Sequence, residues 1–246
     1  MRRTAAALRW GPAGVASLPA VLGNAMPKSG SHLIIQVLQG LTKLGPFINP
    51  GFPPVNRSED NRKLPEKEIL ANILQMRPGD IAYGYIQARK PFISALTGPD
   101  RATIFVYRDP RDVIVSHVFY ATQLHPGHDM HQYYNEALGS MEERIHASII
   151  GVDEPGHELS SIRAKFEAYL GWLDRPEVLS LRFEELILER DAAMGKILDY
   201  LGTKGFQPKA SQAQAIETLK AAIAPRRSGT FRTVSYTHLR AHETKA

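Results

Sequence analysis

Short continuous apolar runs alternate along this chain with longer stretches of helical spacing. The first run, Ala20-Val21-Leu22-Gly23-Asn24, reads as a buried strand. Leu33, Ile34, Val37, Leu38, Leu41 and Leu44 then repeat at helical spacing until Gly45-Pro46 stops the helix. Residues 47–63, rich in Pro, Gly and Asn, read as a long loop. A helix is predicted over 65–75, with Ile69, Leu70, Ile73 and Leu74 on its apolar face and Pro65 in its first turn. Strands follow at 80–86 and 103–107, with a short helix at 91–96 between them. After the third strand Asp109 can cap a helix, Pro110 takes its first position, and Asp112 falls three residues after the cap. That helix runs to Gln123. Residues 125–131 read as a loop, 133–150 as mostly helical and 151–156 as a second loop. Further helices are predicted at 160–173, 192–201 and 212–223, with a fourth strand at 178–183. Strands separated by helices give an α/β domain with right-handed crossovers and a mainly parallel central sheet flanked by helices.

Composition narrows the partners more than the fold. The 246 residues are 43% hydrophobic, enough for one substantial core. A net charge of +5 suits an anionic ligand but is too dispersed for nucleic-acid binding. The absence of cysteine excludes disulfides, thiol catalysis and cysteine metal sites. No unbroken apolar run is long enough to span a membrane. Residues 1–18 loosely imitate a leader, but Pro12, Gly14 and Pro19 interrupt the apolar part, and cleavage near Ala25 would remove the first strand. They are read as a loosely packed arm, and the protein as cytoplasmic.

The chemistry concentrates in the turn after the first strand, Pro27-Lys28-Ser29-Gly30-Ser31-His32. A strand that passes directly into a helix presents the unpaired N–H groups and positive dipole end of that helix. Lys28 adds a full charge, Ser29 and Ser31 add hydroxyls, and Gly30 lets backbone approach a ligand. Such a turn is a phosphate cradle. It is not a Walker A loop, because Pro27 stands where a glycine should precede the lysine and the useful glycine follows it.

That order, P-K-S-G-S-H, resembles the 5′-phosphosulfate loop of sulfotransferases that use 3′-phosphoadenosine 5′-phosphosulfate (PAPS), usually P-[KR]-S-G-[ST]-[ST]. His32 departs from the last hydroxyl position. A second run, Ile104 to Ser116, resembles the family's 3′-phosphate motif, a strand followed by R-[ND]-P-[KR]-D-x-x-x-S. Arg108 there carries a fork of donors suited to phosphate, and Ser116 offers a hydroxyl from the next helix. Leu181-Arg182-Phe183-Glu184-Glu185-Leu186 resembles the strand end beside the adenine, with Phe183 where many members have tyrosine. Ser228 to Thr233 resembles the start of the segment that closes over the 3′-phosphate, with Arg232 as its arginine. The resemblance spans residues 20–233. Beyond it, residues 234–246 lack the expected glycines and apolar periodicity and read as a foreign or truncated tail.

The resemblance implies a three-layer, P-loop-like α/β domain over residues 19–233. It implies PAPS as cosubstrate, no metal, and a small-molecule or glycan acceptor whose hydroxyl or amine attacks sulfur in line. Lys28 and the loop N–H groups would stabilise the leaving group. Lys28 and Tyr85 are the candidate catalytic residues. Lys28, Ser29, Gly30, Ser31, His32, Arg108, Ser116, Phe183 and Arg232 are the candidate binding set. The family usually places a histidine at the end of the second strand as general base, in a Gly-His-[LI] sequence, and here Gly84-Tyr85-Ile86 stands there. A phenol is a poor base at neutral pH. Either another group such as His32 or His117 acts, or the acceptor is acidic, or the protein binds PAPS without fast turnover. A P-loop kinase is the remaining alternative. His125, His128 and His131 share a three-residue spacing, but Pro126-Gly127 breaks any regular helix, and the segment reads as a polar loop rather than a metal site.

Overall fold

A computed structural model describes residues 2–51 and 53–224. Its elements are α1 (Arg2–Trp10), α2 (Pro12–Ala16), β1 (Ala20–Ala25), α3 (Ser31–Leu44), α4 (Glu66–Leu74), β2 (Ile81–Gly84), α5 (Phe92–Leu96) and β3 (Arg101–Tyr107). They continue with α6 (Pro110–Phe119), α7 (Met141–Ile150), β4 (Val152–Glu154), β5 (His157–Leu159), α8 (Ile162–Leu170) and β6 (Val178–Arg182). The described chain closes with α9 (Phe183–Leu188), α10 (Arg190–Thr203) and α11 (Gln212–Ala222). By their contacts the described residues divide into two compact units, one of residues 2–108 with 168–224 and one of residues 109–167.

The first unit is built on a four-stranded sheet in the order β2-β1-β3-β6, parallel throughout. Helices flank it, as the alternation of strands and helical stretches predicts. β1 is buried along its whole length, which is why it reads as an unbroken apolar run rather than an alternating one. Its neighbour α3 turns Leu33, Ile34, Val37, Leu38, Leu41 and Leu44 inward. Gly23 allows the close approach of helix and strand, since a Cβ there would lie 2.9 Å from Leu38 Cδ1 and 3.0 Å from Ile34 Cγ1. Ile197, Leu198 and Leu201 of α10, with Ala215 and Leu219 of α11, complete the same core.

Where an irregular arm is expected at residues 1–18, the first unit has two short helices. The first buries no residue, and Arg3 ties it to Asp80 at 2.8 Å. Val15 and Leu18 are buried.

The second unit has its own core of Ile114, Val118, Ala121, Met130, Tyr134 and Ala147. The Asp109 side chain caps α6 by accepting from the Arg111 N–H, as the sequence predicts. Beyond Phe119 the helix continues as a wider turn, in which the His125 N–H reaches the carbonyl of Tyr120, five residues back. The loop expected at 151–156 is instead mostly an antiparallel hairpin of β4 and β5, pairing Val152 with Leu159 and Glu154 with His157. Its two-residue turn is Pro155-Gly156, with Gly156 at φ +83°. Each strand is only three residues long, too short for an alternating pattern to show in sequence.

One buried polar residue seals the carboxyl edge of the sheet. Asn24 is fully buried in β1. Its side chain accepts from the Ile86 N–H at 2.8 Å and donates to the Ile86 carbonyl at 2.9 Å. The indole of buried Trp172 donates to that same carbonyl at 2.7 Å. In Asn24→Leu the carbonyl therefore keeps a partner, while the Ile86 N–H is left buried without one. Urea denaturation is expected to show a loss of about 1–3 kcal/mol relative to the unaltered protein.

Candidate active site

All four strands of the sheet end on the same edge, and each end delivers one candidate residue. Lys28 follows β1, Tyr85 follows β2, Arg108 follows β3, and Phe183 follows β6. The register that aligns these ends pairs Asn24 with Gly84, Ala25 with Val106, and Tyr107 with Arg182. Ligands of open parallel sheets bind at such an edge.

The turn after β1 is tightly wound. The Ser29 N–H donates to the Met26 carbonyl at 3.0 Å. Lys28 and Gly30 both adopt left-handed conformations, with φ +66° and +103°. For a lysine that conformation costs of the order of 1 kcal/mol and marks a backbone held by its surroundings. Gly30 has a second reason to be glycine, because a Cβ would stand 2.5 Å from Phe183 Cδ2. The Leu33 and Ile34 N–H groups both return to the Gly30 carbonyl, at 2.9 and 3.1 Å. The N–H groups of Gly30, Ser31 and His32 make no backbone hydrogen bond among the described residues. They are the donors that a helix start offers to an anion.

Two cations share this turn. Arg108 is buried, and its guanidinium donates to the Lys28 carbonyl at 3.4 Å. The same guanidinium lies 4.4 Å from the centre of the Phe183 ring, a cation–π contact. Burial, helped by the Arg108 charge, lowers the pKa of Lys28 to about 8. The charged lysine is thus disfavoured by about 3 kcal/mol against its ordinary state. Partial burial and the Lys28 charge also lower the pKa of His32. Ser29 is fully buried, and its hydroxyl has no hydrogen-bond partner among the described residues. A buried hydroxyl without a partner is unusual in a folded protein and calls for an explanation.

Tyr85 reaches the turn from the neighbouring strand, donating its hydroxyl to Ser31 Oγ at 2.9 Å. Asn56 and Tyr169, neither of them singled out from the sequence, hold the backbone of Tyr85. Asn56 belongs to a loop without periodicity and gave no signal. Tyr169 reads from its spacing only as part of an apolar helix face. Asn24 could have been found, because an amide inside an apolar strand must have a partner.

Lys28, Ser29, Gly30, Ser31, His32, Tyr85, Arg108 and Phe183 therefore all belong to the first unit. Ser116 and His117 lie on α6 in the second. Arg232, and the tail 234–246, lie outside the described residues. In the second unit the rings of His125 and His128 are 6.2 Å apart, and His131 bonds the Ala121 carbonyl instead. No group of three metal-ligating side chains stands together among the described residues. No described helix is long and apolar enough to cross a membrane.

The fold is shared with solved structures. Mouse sulfotransferase SULT7A1 complexed with PAP superposes with a TM-score of 0.51 at 14% identity, over 86% of this chain and 68% of that one. Retinol dehydratase in complex with androsterone and inactive cofactor PAP gives 0.51 at 14% identity, over 85% of this chain and 66% of that one. At such identity the likeness establishes architecture alone. No curated protein matches the sequence. The sulfotransferase domain family does match, over residues 89–239, a stretch that includes Arg108, Ser116, Phe183 and Arg232 and begins after the Lys28 turn. With more than half its length so matched, this chain belongs to the sulfotransferase domain family.

Proposed function

We propose that this member of the family transfers the sulfuryl group of PAPS to a hydroxyl or amine of a small-molecule acceptor. The observation that carries the reading is the buried Ser29 hydroxyl, without a partner among the described residues, in the turn where Arg108 bonds the Lys28 carbonyl and helps lower the lysine's pKa. The donor set fits a nucleotide with two separate phosphates. Lys28, Ser29 and the N–H groups of Gly30, Ser31 and His32 would hold the 5′-phosphosulfate end. Arg108 offers a fork for the 3′-phosphate, and the ring of Phe183 beneath it supplies an apolar face. Both neighbours named above were crystallised with PAP, which agrees with this choice of nucleotide.

PAPS supplies a sulfuryl group already activated by its bond to phosphate. As the acceptor oxygen or nitrogen bonds to sulfur, the bond from sulfur to the bridging oxygen breaks and charge gathers on the 5′-phosphate. Lys28 and the loop N–H groups would stabilise that charge as it develops. His32 is the one imidazole in this turn. Its lowered pKa leaves it neutral at pH 7, in the form that can accept the acceptor's proton.

Adenosine 3′,5′-bisphosphate (PAP) is expected to bind in calorimetry without Mg²⁺, and ATP–Mg²⁺ is expected not to displace it. Arg108→Ala should weaken binding about 10- to 100-fold, the worth of a charge-assisted bond. Metal-dependent binding of ATP in preference to PAP would refute the assignment.

The Lys28 pKa sets a pH dependence with a definite sign. At pH 7 the lysine is mostly charged in the free protein and at pH 8 about half so, and PAP affinity should fall by no more than about twofold between them. Above pH 8 binding must take up a proton, so affinity should fall by up to about tenfold per pH unit. Lys28→Arg should abolish that fall. Calorimetry at pH 7.0, 8.0 and 9.0 would show it, and a level profile in the unaltered protein would contradict the assignment of Lys28.

A further inference from the structure

Tyr85 occupies the strand end where the sequence comparison expects a general base, yet its surroundings suit another task. Its backbone is held from both sides. The N–H donates to Asn56 Oδ1 at 3.1 Å. The carbonyl accepts from Asn56 Nδ2 at 3.4 Å and from the Tyr169 hydroxyl at 3.3 Å. Tyr169 is itself buried, and its ring stacks on Phe105 of β3 with centroids 6.4 Å apart. A side chain with so fixed an origin has little freedom in where its hydroxyl arrives.

That hydroxyl arrives at Ser31. The phenol donates to Ser31 Oγ, and Ser31 is buried as the first residue of α3, two residues from the unpartnered Ser29. A serine that accepts from a phenol has its oxygen pinned while its own proton stays free to rotate and donate. Hydroxyls linked in this way polarise one another, so the outer proton becomes the better donor. The outer proton here belongs to a residue in the anion-binding turn. The phenol proton is already engaged on Ser31, so the hydroxyl is not arranged as a receiver for the acceptor's proton.

We propose that Tyr85 is a positioning residue of the donor site. It fixes the Ser31 hydroxyl as a hydrogen-bond donor to the anion held in the Lys28 turn, and it does not act as the general base. The proposal rests on the PAPS reading of that turn. It places a consequence of the family's missing histidine on nucleotide affinity rather than on proton transfer.

A double-mutant cycle on PAP binding tests it, using the full chain with thermal unfolding of each variant as a check on folding. Tyr85→Phe and Ser31→Ala are each expected to weaken PAP about 5- to 10-fold, the worth of one hydrogen bond. The double variant should be no weaker than Ser31→Ala, because the phenol acts only through that serine. Ser31→Thr, which keeps the hydroxyl, should retain most of the affinity and the sensitivity to Tyr85→Phe. Losses that simply add in the double variant, or a Tyr85→Phe affinity equal to the unaltered protein's, would overturn the proposal. Should Tyr85→Phe fail to fold, ¹³C NMR of the tyrosine ζ carbons gives an independent reading. The Tyr85 resonance is expected to shift on adding PAP to the unaltered protein and to stay in place in Ser31→Ala. A resonance blind to PAP in the unaltered protein would overturn the proposal. Failure of the unaltered protein to bind PAP at all would instead overturn the PAPS reading itself and remove this inference with it.

Discussion

The turn after β1 depends on Arg108, which bonds the Lys28 carbonyl while its charge, with burial, disfavours a charged lysine there. Lys28 and Arg108 are far apart in sequence and meet because β1 and β3 are adjacent, parallel and in register. Desolvation alone would discourage a lysine there, and a neighbouring guanidinium makes matters worse. The strained backbone at Lys28 and the unpartnered hydroxyl of Ser29 belong to the same economy of structure.

Rigidity is what turns those charges into a site. The edge of the sheet is tied by side-chain amides rather than by further strands. Asn24 links β1 to the chain beyond β2, and Asn56 links the long loop to Tyr85. Tyr169, in the last turn of α8, and Trp172, just beyond that helix, add donors to the same backbone segment. Each of these polar groups has a hydrogen-bond partner inside the protein, which fixes its position. Phe183 performs the equivalent task with its ring, packing on Gly30 and lying against Arg108 at once.

The second unit shows a different balance. Its helices are interrupted by widened turns at 120–124 and 133–137, and its hairpin is minimal. Its core is correspondingly small and relies on polar anchoring. Tyr134 shares a hydrogen bond with Ser148 at 2.7 Å, and Arg144 donates to the Tyr134 carbonyl at 2.6 Å. Loop-rich segments of this kind change shape with few substitutions.

Much of the architecture was legible in the sequence because its signals are local. The apolar run of β1, the helical spacing of α3, the Asp109-Pro110 start of α6 and the order of strands and helices depend on periodicity and on residues a few positions apart. The tight turn from strand to helix was legible for the same reason, since Lys28 to Ser31 are consecutive and Gly30 marks the helix start. The short hairpin, the widened turns and the helices within residues 2–16 were not, because elements so short carry too few residues for a periodic pattern to show. Only the tertiary structure decided that Arg108 would lower the pKa of Lys28, that Phe183 would require glycine at position 30, and that Tyr85 would bond Ser31. Those partners lie 80, 153 and 54 residues apart. Distances across a sheet are set by strand order and register, which no local pattern encodes.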